Sequence, residues 1–401
     1  MTKDKIFFIL GTRPEVVKLA PVIRRFQSSQ HFGVIVVNTG QHRELAQSFL
    51  SLFNISPSYN CRVMRPGQTL AHLSARILHC LDELFDRESP CMTFVQGDTS
   101  SALCGALASF YRRVPVAHVE AGLRTFDPSN PFPEETNRTL IARLTDEHFA
   151  PTDRACRHLL DEGIASERIS VTGNTVVDAL QHILKTCGQI RNKLIRDLLK
   201  SPGSRNLVTI TAHRRENWEG GIREISLALR DLTWRFPDYR FVFTLHPNPL
   251  IREQVSSVLA GTPGIFLVDS LAYSDFIKLL SVSRLAISDS GGLQEEAPSL
   301  GVPVLITRNR TERPEILEAG WGSLVGTDRN VIVREASRIL SRPDVDRRPL
   351  WLFGDGLAAE RIFNRIVRRF GYQDHEAMIE PKELVTPPLF LPGQQPDQRT
   401  K

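Results

Sequence analysis

The sequence predicts an α/β protein of two doubly wound, Rossmann-like domains in tandem, facing a cleft. Three observations lead there. Short runs rich in Val and Ile recur along the chain, separated by longer segments with apolar residues at helical spacing. The runs fall into two series of six. Polar clusters sit just after the runs, where an open parallel sheet binds its ligands. Runs that are apolar throughout, rather than alternating, suit strands covered by helices on both faces.

In the first series the expected strands are "IFFIL" (6–10), "VIVV" (34–37), "MTFV" (92–95), "VPVAHV" (114–119), "EHFA" (147–150) and "ISVT" (169–172). The second has "LVTIT" (207–211), "FVFTL" (241–245), "IFLV" (265–268), "LAIS" (285–288), "VPVLI" (302–306) and "SLVG" (323–326). Domain boundaries are expected at 1–180 and 190–355, with "QIRNKLIRDLLKSPGSRN" (189–206) as a linking helix and turn. A strong helix at about 356–372 follows the second series and is expected to pack back onto the first domain. The Pro- and Gln-rich tail, 375–401, is expected to lack fixed structure.

Composition narrows the class of function. The chain has 401 residues, 41% apolar and 24% charged, enough for a large core. A formal charge of +5 is spread along it without a basic run carrying aromatics, so no nucleic-acid partner is predicted. A smaller anion such as a nucleotide phosphate fits. No apolar run approaches the ~20 residues that span a bilayer, and the start lacks a signal-peptide core. No membrane association is predicted. The six cysteines, at 61, 80, 91, 104, 156 and 187, contain no C-x-x-C pair. Reduced thiols in a cytoplasmic protein are expected. No cluster has metal-ligand spacing, so no metal and no cofactor are predicted.

Five stretches carry chemistry. "GTRPEVVK" sets Gly11, Thr12 and Arg13 after the first strand, with Pro14 in the first turn of a helix and Lys18 one turn on. A helix start favours an anion, although the spacing is not that of a P-loop. "QGDTSS" puts Asp98 after a strand, where Asp98 or Thr99 also suits a helix cap. "VEAGLRTFDPSNPFPEETNR" (119–138) places Glu120, Asp127, Glu134 and Glu135 on a segment stiffened by three prolines. Stiffness fixes geometry as acid–base chemistry requires. In the second half, His213, Arg214 and Arg215 follow a strand and suit a diphosphate, which Arg grips in a fork. Ser290, Gly291 and Gly292 open a helix toward a phosphate, Glu296 suits two ribose hydroxyls, and Arg310 and Arg313 add cations.

Ten motifs in order, "GTRPEVVKLAP", "GDTSS", "HVEAGLRT", "PFPEETNR", "GNTVVDAL", "TAHRREN", "HPNP", "DSGGLQEEAPSLGVPVL", "TERPE" and "FGDG", resemble those of UDP-N-acetylglucosamine 2-epimerases from about residue 5 to 370. The resemblance implies a glycosyltransferase-B-like fold, a homodimer and no cofactor. It also implies interconversion of UDP-N-acetylglucosamine and UDP-N-acetylmannosamine through a 2-acetamidoglucal, by the non-hydrolysing route. Carried over by motif, Asp98, Glu120 and Glu134 are the catalytic acids, with His213 at the departing diphosphate. Arg13, Lys18, Ser290, Gly291, Gly292, Glu296 and Arg313 bind UDP. A second, activating UDP-N-acetylglucosamine corresponds to Gln41, His42, Gln68, Glu135, Arg214 and His246.

Departures from the family pattern concentrate at Phe126, Ser129, Asn130, Asn309 and Arg310, and bear on the sugar substituents. Alternatives are a hydrolysing epimerase, an epimerase of UDP-2,3-diacetamido-glucuronic acid, a glycosyltransferase and a UDP-sugar sensor. In a polysaccharide-supplying role the sugar nucleotide is the partner of interest.

Overall fold

The computed structural model describes residues 3–41, 43–186, 188–201, 206–212, 214, 217–218, 220–342 and 349–372. The expected tail, His42 and His213 therefore lie outside the described residues. Tertiary contacts divide the chain into two compact units. The first runs to His182 and resumes at Phe353; the second is Ile183–Leu352.

In the first unit β1 (Asp4–Leu10), α1 (Arg13–Gln27), β2 (Phe32–Asn38), α2 (Arg43–Leu52), β3 (Tyr59–Asn60), α3 (Leu70–Glu88) and β4 (Met92–Gln96) lead into α4 (Ser100–Tyr111) and β5 (Val116–Val119). Then come α5 (Glu134–Leu144), β6 (Glu147–Ala150), α6 (Asp153–Asp161), β7 (Ile169–Val171) and α7 (Thr175–Thr186). The second unit has α8 (Lys193–Lys200), β8 (Leu207–Thr211), α9 (Gly221–Arg235), β9 (Arg240–Thr244), α10 (Pro249–Leu259), β10 (Ile265–Val268) and α11 (Tyr273–Val282). It continues with β11 (Leu285–Ser288), α12 (Leu293–Ser299), β12 (Val304–Ile306), α13 (Glu315–Glu318), β13 (Gly322–Leu324) and α14 (Arg329–Leu340); α15 (Ala358–Arg369) belongs to the first unit.

Both sheets are parallel, ordered β3-β2-β1-β4-β5-β6-β7 and β10-β9-β8-β11-β12-β13. Each chain path reverses direction beside its first strand: between β1 and β4, and between β8 and β11. Loops splay apart at such a point, which makes it the favoured ligand position in this architecture. The all-apolar runs have the burial expected of covered strands: Ile6 to Leu10 are all fully buried. Phe7 and Ile9 face α3 and α4 with Leu81 and Ile77, while Phe8 stacks on Phe94. Ile210, Phe241, Phe243 and Ile287 form the corresponding core of the second unit with Leu229 and Ile332.

Helix α15 packs on α1, where Phe363 meets Phe26 edge-on at 5.0 Å. Arg25 adds a two-pronged ion pair to Glu360 at 2.6 and 3.1 Å. The chain path therefore closes where it began.

Three expectations need correction. The segment from 189 is not merely a link. Asn192 caps α8, and Ile195 and Leu198 pack with Leu207 and Val242 in the second unit's core. The domain boundary accordingly falls at His182–Ile183, within α7, and the return at Phe353. A seventh strand, β3, joins the first sheet's edge; "YN" has no apolar run to announce it. Finally, Cys61 and Cys80 form a disulfide, so thiols are not reduced throughout. Cys61 follows β3 while Cys80 lies on α3, and packing brings their Cα atoms to 6.0 Å, a span a disulfide bridges. Cys91, Cys104 and Cys156 are free. Among the described residues no helix is long and apolar enough to cross a membrane.

Two buried histidines face each other across β5 and β6, His118 opposite His148. Burial pushes His118 down to about 4, against a smaller upward pull from its bond to the Gly97 carbonyl. Burial, then the neighbouring His118, pushes His148 down to about 3. Unfolding restores both toward 6.5, so the unfolded chain binds protons first. This stability is whole above about 6.5 and drains as pH falls toward 4 and 3. All four tryptophans, at 218, 234, 321 and 351, belong to the second unit. Amide exchange in β5 and β6 should therefore quicken between pH 6.5 and 4 while tryptophan fluorescence changes little. His148→Met should flatten that slope; parallel profiles for variant and wild type would contradict the assignment.

Candidate functional site

In the first unit, polar residues gather where the strands end. Glu120 follows β5 and holds a left-handed backbone, φ 67°. Gly97, just past β4, has a left-handed backbone, φ 68°, that favours glycine, and its Cα faces the Glu120 carboxylate. Lys18 on α1 makes an ion pair with Glu120 Oε1, and both side chains are only 7% exposed. Gln96 at the end of β4 donates to Oε2, and Asn174, before α7, donates to Oε1 at 3.2 Å. A buried carboxylate requires such donors, because leaving water without them costs several kcal/mol.

Asp98 is released from capping by its neighbour. Thr99 Oγ1 accepts from the Ala102 amide at 3.0 Å and caps α4. Asp98 Oδ2 instead accepts from Arg138 at 2.6 and 2.9 Å. The same guanidinium donates to Glu135 Oε2 at 2.9 Å, and Glu135 Oε1 accepts from the Phe126 amide at 2.9 Å. Arg138 thus braces the proline-stiffened segment against the end of β4. Asn137 adds a bond to the Asp98 carbonyl at 2.8 Å. Glu134 opens α5, half-buried, and among the described residues it has no hydrogen-bond or ion-pair partner.

The other predicted positions of this unit are more dispersed. Arg13 opens α1 with its guanidinium 5.0 Å from the Phe49 ring. Gln41 Oε1 accepts from Ser101 Oγ at 2.8 Å. Gln68 donates to the Met64 sulfur at 3.2 Å, just before α3. Lys18, expected among the diphosphate ligands, pairs with Glu120.

The second unit is organised by buried acids. Asp289, fully buried after β11, accepts from the Arg214 amide at 2.9 Å and from Asn217 at 3.0 Å. It fixes the segment after β8 against the segment after β11, at the switch point. Ser290, Gly291 and Gly292 follow and lead into α12. A Cβ on Gly291 would approach Arg313 Nη1 to 3.1 Å and Arg214 Nη2 to 3.7 Å, so glycine permits two guanidinium groups beside this turn. Arg313 is itself held by Glu295 and, at 3.4 Å, by Glu312. Burial raises Glu312, but Arg313 and Arg308, the latter at 3.0 Å, outweigh it and pull it down to about 2. Glu296 accepts from Tyr273 Oη at 2.6 Å. His246 accepts from the Asn248 amide at 3.2 Å and lies beside Trp218; burial lowers its pKa.

Sequence reasoning missed Gln96, Arg138, Asn174, Tyr273, Asp289 and Glu295 as supports. Gln96 and Asp289 were detectable as strand-end residues, and Asn174 stands in a quoted motif. Arg138 and Glu295 also stand in quoted motifs, whereas nothing local announces Tyr273. Among the described residues no group of three or more His, Cys, Asp or Glu is placed to hold a metal ion.

Two parallel sheets with polar residues past their carboxyl ends define an α/β protein of the glycosyltransferase-B type. At the level of fold, the chain resembles the glycotransferase of kitacinnamycin (TM-score 0.62, 11% identity, 91% of this chain and 100% of that one). A family model described as UDP-N-acetylglucosamine 2-epimerase matches residues 24–367. The UDP-N-acetylglucosamine 2-epimerase of Escherichia coli K12 is 40% identical over 90% of this chain and 98% of its own. The crystal structure of the Neisseria meningitidis UDP-GlcNAc 2-epimerase bound to UDP-GlcNAc matches with TM-score 0.83 and 36% identity, over 91% of this chain and 100% of that one. The chain belongs to the UDP-N-acetylglucosamine 2-epimerase family, a family of isomerases.

The two acids differ in what their removal leaves behind. Glu120→Gln removes the carboxylate that pairs with the buried Lys18 ammonium, and Lys18→Met leaves Glu120 with neutral donors, Gln96 and Asn174, in place of a cation. Each should destabilise the first unit by about 3–5 kcal/mol. The double variant should recover part of that loss. Glu134→Gln should stay within about 0.5 kcal/mol of wild type. Amide exchange of the first unit measures all four; equal stabilities for Glu120→Gln and Glu134→Gln would contradict the pairing.

Proposed function

We propose that this chain is a non-hydrolysing UDP-N-acetylglucosamine 2-epimerase. The observation that carries the proposal is the set of three first-unit carboxylates held in unlike states: Glu120 on a cation, Asp98 on a guanidinium, Glu134 unpartnered. Inverting C2 of an N-acetylhexosamine requires removal of a weakly acidic proton and its return to the opposite face. Two distinct carboxyl groups suit that task.

In the proposed reaction the C1–O bond to the β-phosphate breaks as a carboxylate takes the C2 proton. The C2–H electron pair becomes the C1=C2 bond of a 2-acetamidoglucal, and UDP keeps the electrons of the broken bond. A carboxyl group then delivers a proton to the other face of C2, and the diphosphate oxygen re-forms the bond to C1. No oxidation occurs. The negative charge that develops on UDP calls for cations and amides already in place, as in the second unit at Arg214, Ser290, Gly291, Gly292 and Arg313. Glu296, oriented by Tyr273, is assigned to the ribose hydroxyls. His213 is assigned to the diphosphate by motif. Lys18, a diphosphate candidate by motif, is also proposed to orient Glu120.

The resemblance at Gln41, His42, Gln68, Glu135, Arg214 and His246 supports a second UDP-sugar as activator, and a homodimer is proposed on the same ground. The glucal must stay bound until UDP returns; release and hydration would make the enzyme hydrolysing.

With UDP-N-acetylglucosamine in deuterated water, the product should be UDP-N-acetylmannosamine carrying deuterium at C2. Free N-acetylmannosamine as the main product would support the hydrolysing reading instead. Neither product nor exchange would sink the assignment for this sugar. Asp98→Asn, Glu120→Gln and Glu134→Gln should each lose about 10²–10⁴ in turnover. UDP affinity, measured by calorimetry, should persist.

A further inference from the structure

Glu15 is a buried carboxylate that the reaction above does not use. It lies on the first turn of α1, fully buried. Its Oε2 accepts from the amides of Gly11 and Thr12 at 2.9 and 2.7 Å. Its Oε1 accepts from Thr99 Oγ1 at 2.6 Å. No ion pair to Glu15 is found among the described residues.

The partners determine what kind of group can stand here. Thr99 Oγ1 already receives the Ala102 amide at 3.0 Å, so its hydroxyl proton must go to an acceptor. The two amides at Oε2 also need an acceptor. Only a carboxylate offers acceptors on both sides; a glutamine turns an NH2 toward one of them. Burial pushes Glu15 up to about 7, and its Thr99 and backbone bonds pull the other way. A buried carboxyl group bonded only by neutral donors is costly. Glu15 is also the N3 residue of a capping box with Thr12, but that box uses only Oε2; the bond from Thr99 to Oε1 reaches a second segment.

The geometry of this brace is also unusual in what it joins. Glu15 lies on the β1–α1 side of the switch point and Thr99 on the β4–α4 side. Lys18, one turn beyond Glu15, pairs with Glu120. Asp98 immediately precedes Thr99. The two segments are already crowded: a Cβ on Gly11 would lie 2.5 Å from Ser101 Oγ. We infer that Glu15 is a positioning residue that, through Thr99, holds the α1 turn carrying Lys18 in register with the strand end carrying Asp98. It thereby sets the separation of the Asp98 and Glu120 carboxylates without itself touching substrate.

The inference rests on the proposed C2 chemistry, so the test has an arm that does not. Glu15→Gln and Thr99→Ala should each lower kcat for C2 epimerisation by about 10–100-fold, with KM and UDP affinity within about 3-fold. Thr99→Ser, which keeps the hydroxyl, should restore kcat to within about 3-fold of wild type. The Glu15→Gln/Thr99→Ala double variant should be no slower than the slower single variant, because both remove one link. Independently of turnover, amide exchange at residues 98–102 should quicken in Glu15→Gln. If wild type shows no C2 exchange, the functional proposal fails and the exchange arm alone decides the brace. Unchanged protection at 98–102, or a Thr99→Ser variant as slow as Thr99→Ala in an active enzyme, would overturn it. If Glu15→Gln does not fold, the Thr99 pair carries the same decision.

Discussion

The first unit depends on one buried carboxylate. Glu120 sits at a strand end with both oxygens engaged, by Lys18 and Asn174 on one side and Gln96 on the other. Those four residues come from α1, the end of β4, the end of β5 and the turn before α7. A charge taken out of water requires compensation, and compensation here draws four separate segments to one point. Asn174 in turn is tied to the returning chain, since its amide donates to the Phe353 carbonyl at 2.6 Å. Gly173 and Gly354 pass so closely that a Cβ on either would meet the other's backbone near 3.1–3.2 Å. The return of the chain at residue 353 therefore serves the carboxylate as well as the core.

The second unit uses acids differently. Asp289 organises backbone, joining the segments after β8 and β11, and Glu295 and Glu312 organise Arg313. In the first unit cations serve carboxylates; in the second, carboxylates serve cations. The elimination proposed above needs bases whose protonation can change at its carbon end and positive charge at its leaving end.

Much of the fold was legible because parallel strands covered on both faces must be apolar along their whole length. That signal is clearest in β1, β2, β4 and β9 and is absent from β3, whose two residues lie at an edge and need no apolar run. It could not separate a linking helix from a core helix; the place of α8 follows from Ile195 and Leu198 meeting strands distant in sequence. The disulfide was equally illegible, because the approach of Cys61 to Cys80 is made by α3 packing rather than by spacing. At the site, strand ends pointed to Asp98, Glu120 and the Ser290–Gly292 turn. The state of each carboxylate was not readable. Arg138, Gln96 and Asn174 acquire meaning only from the direction of their side chains, and Lys18 lies equally well beside a phosphate or a carboxylate until its neighbour is known.

The central claim is that the C1–O bond to UDP breaks and re-forms while the sugar's C2 is inverted. It is tested most directly with UDP-N-acetylglucosamine carrying ¹⁸O only in the oxygen that bridges C1 and the β-phosphorus. If UDP departs and returns, its β-phosphate can rotate, and phosphorus NMR should find label in the non-bridging positions of recovered sugar nucleotide. Epimerised product with all of its label still in the bridge would contradict the account.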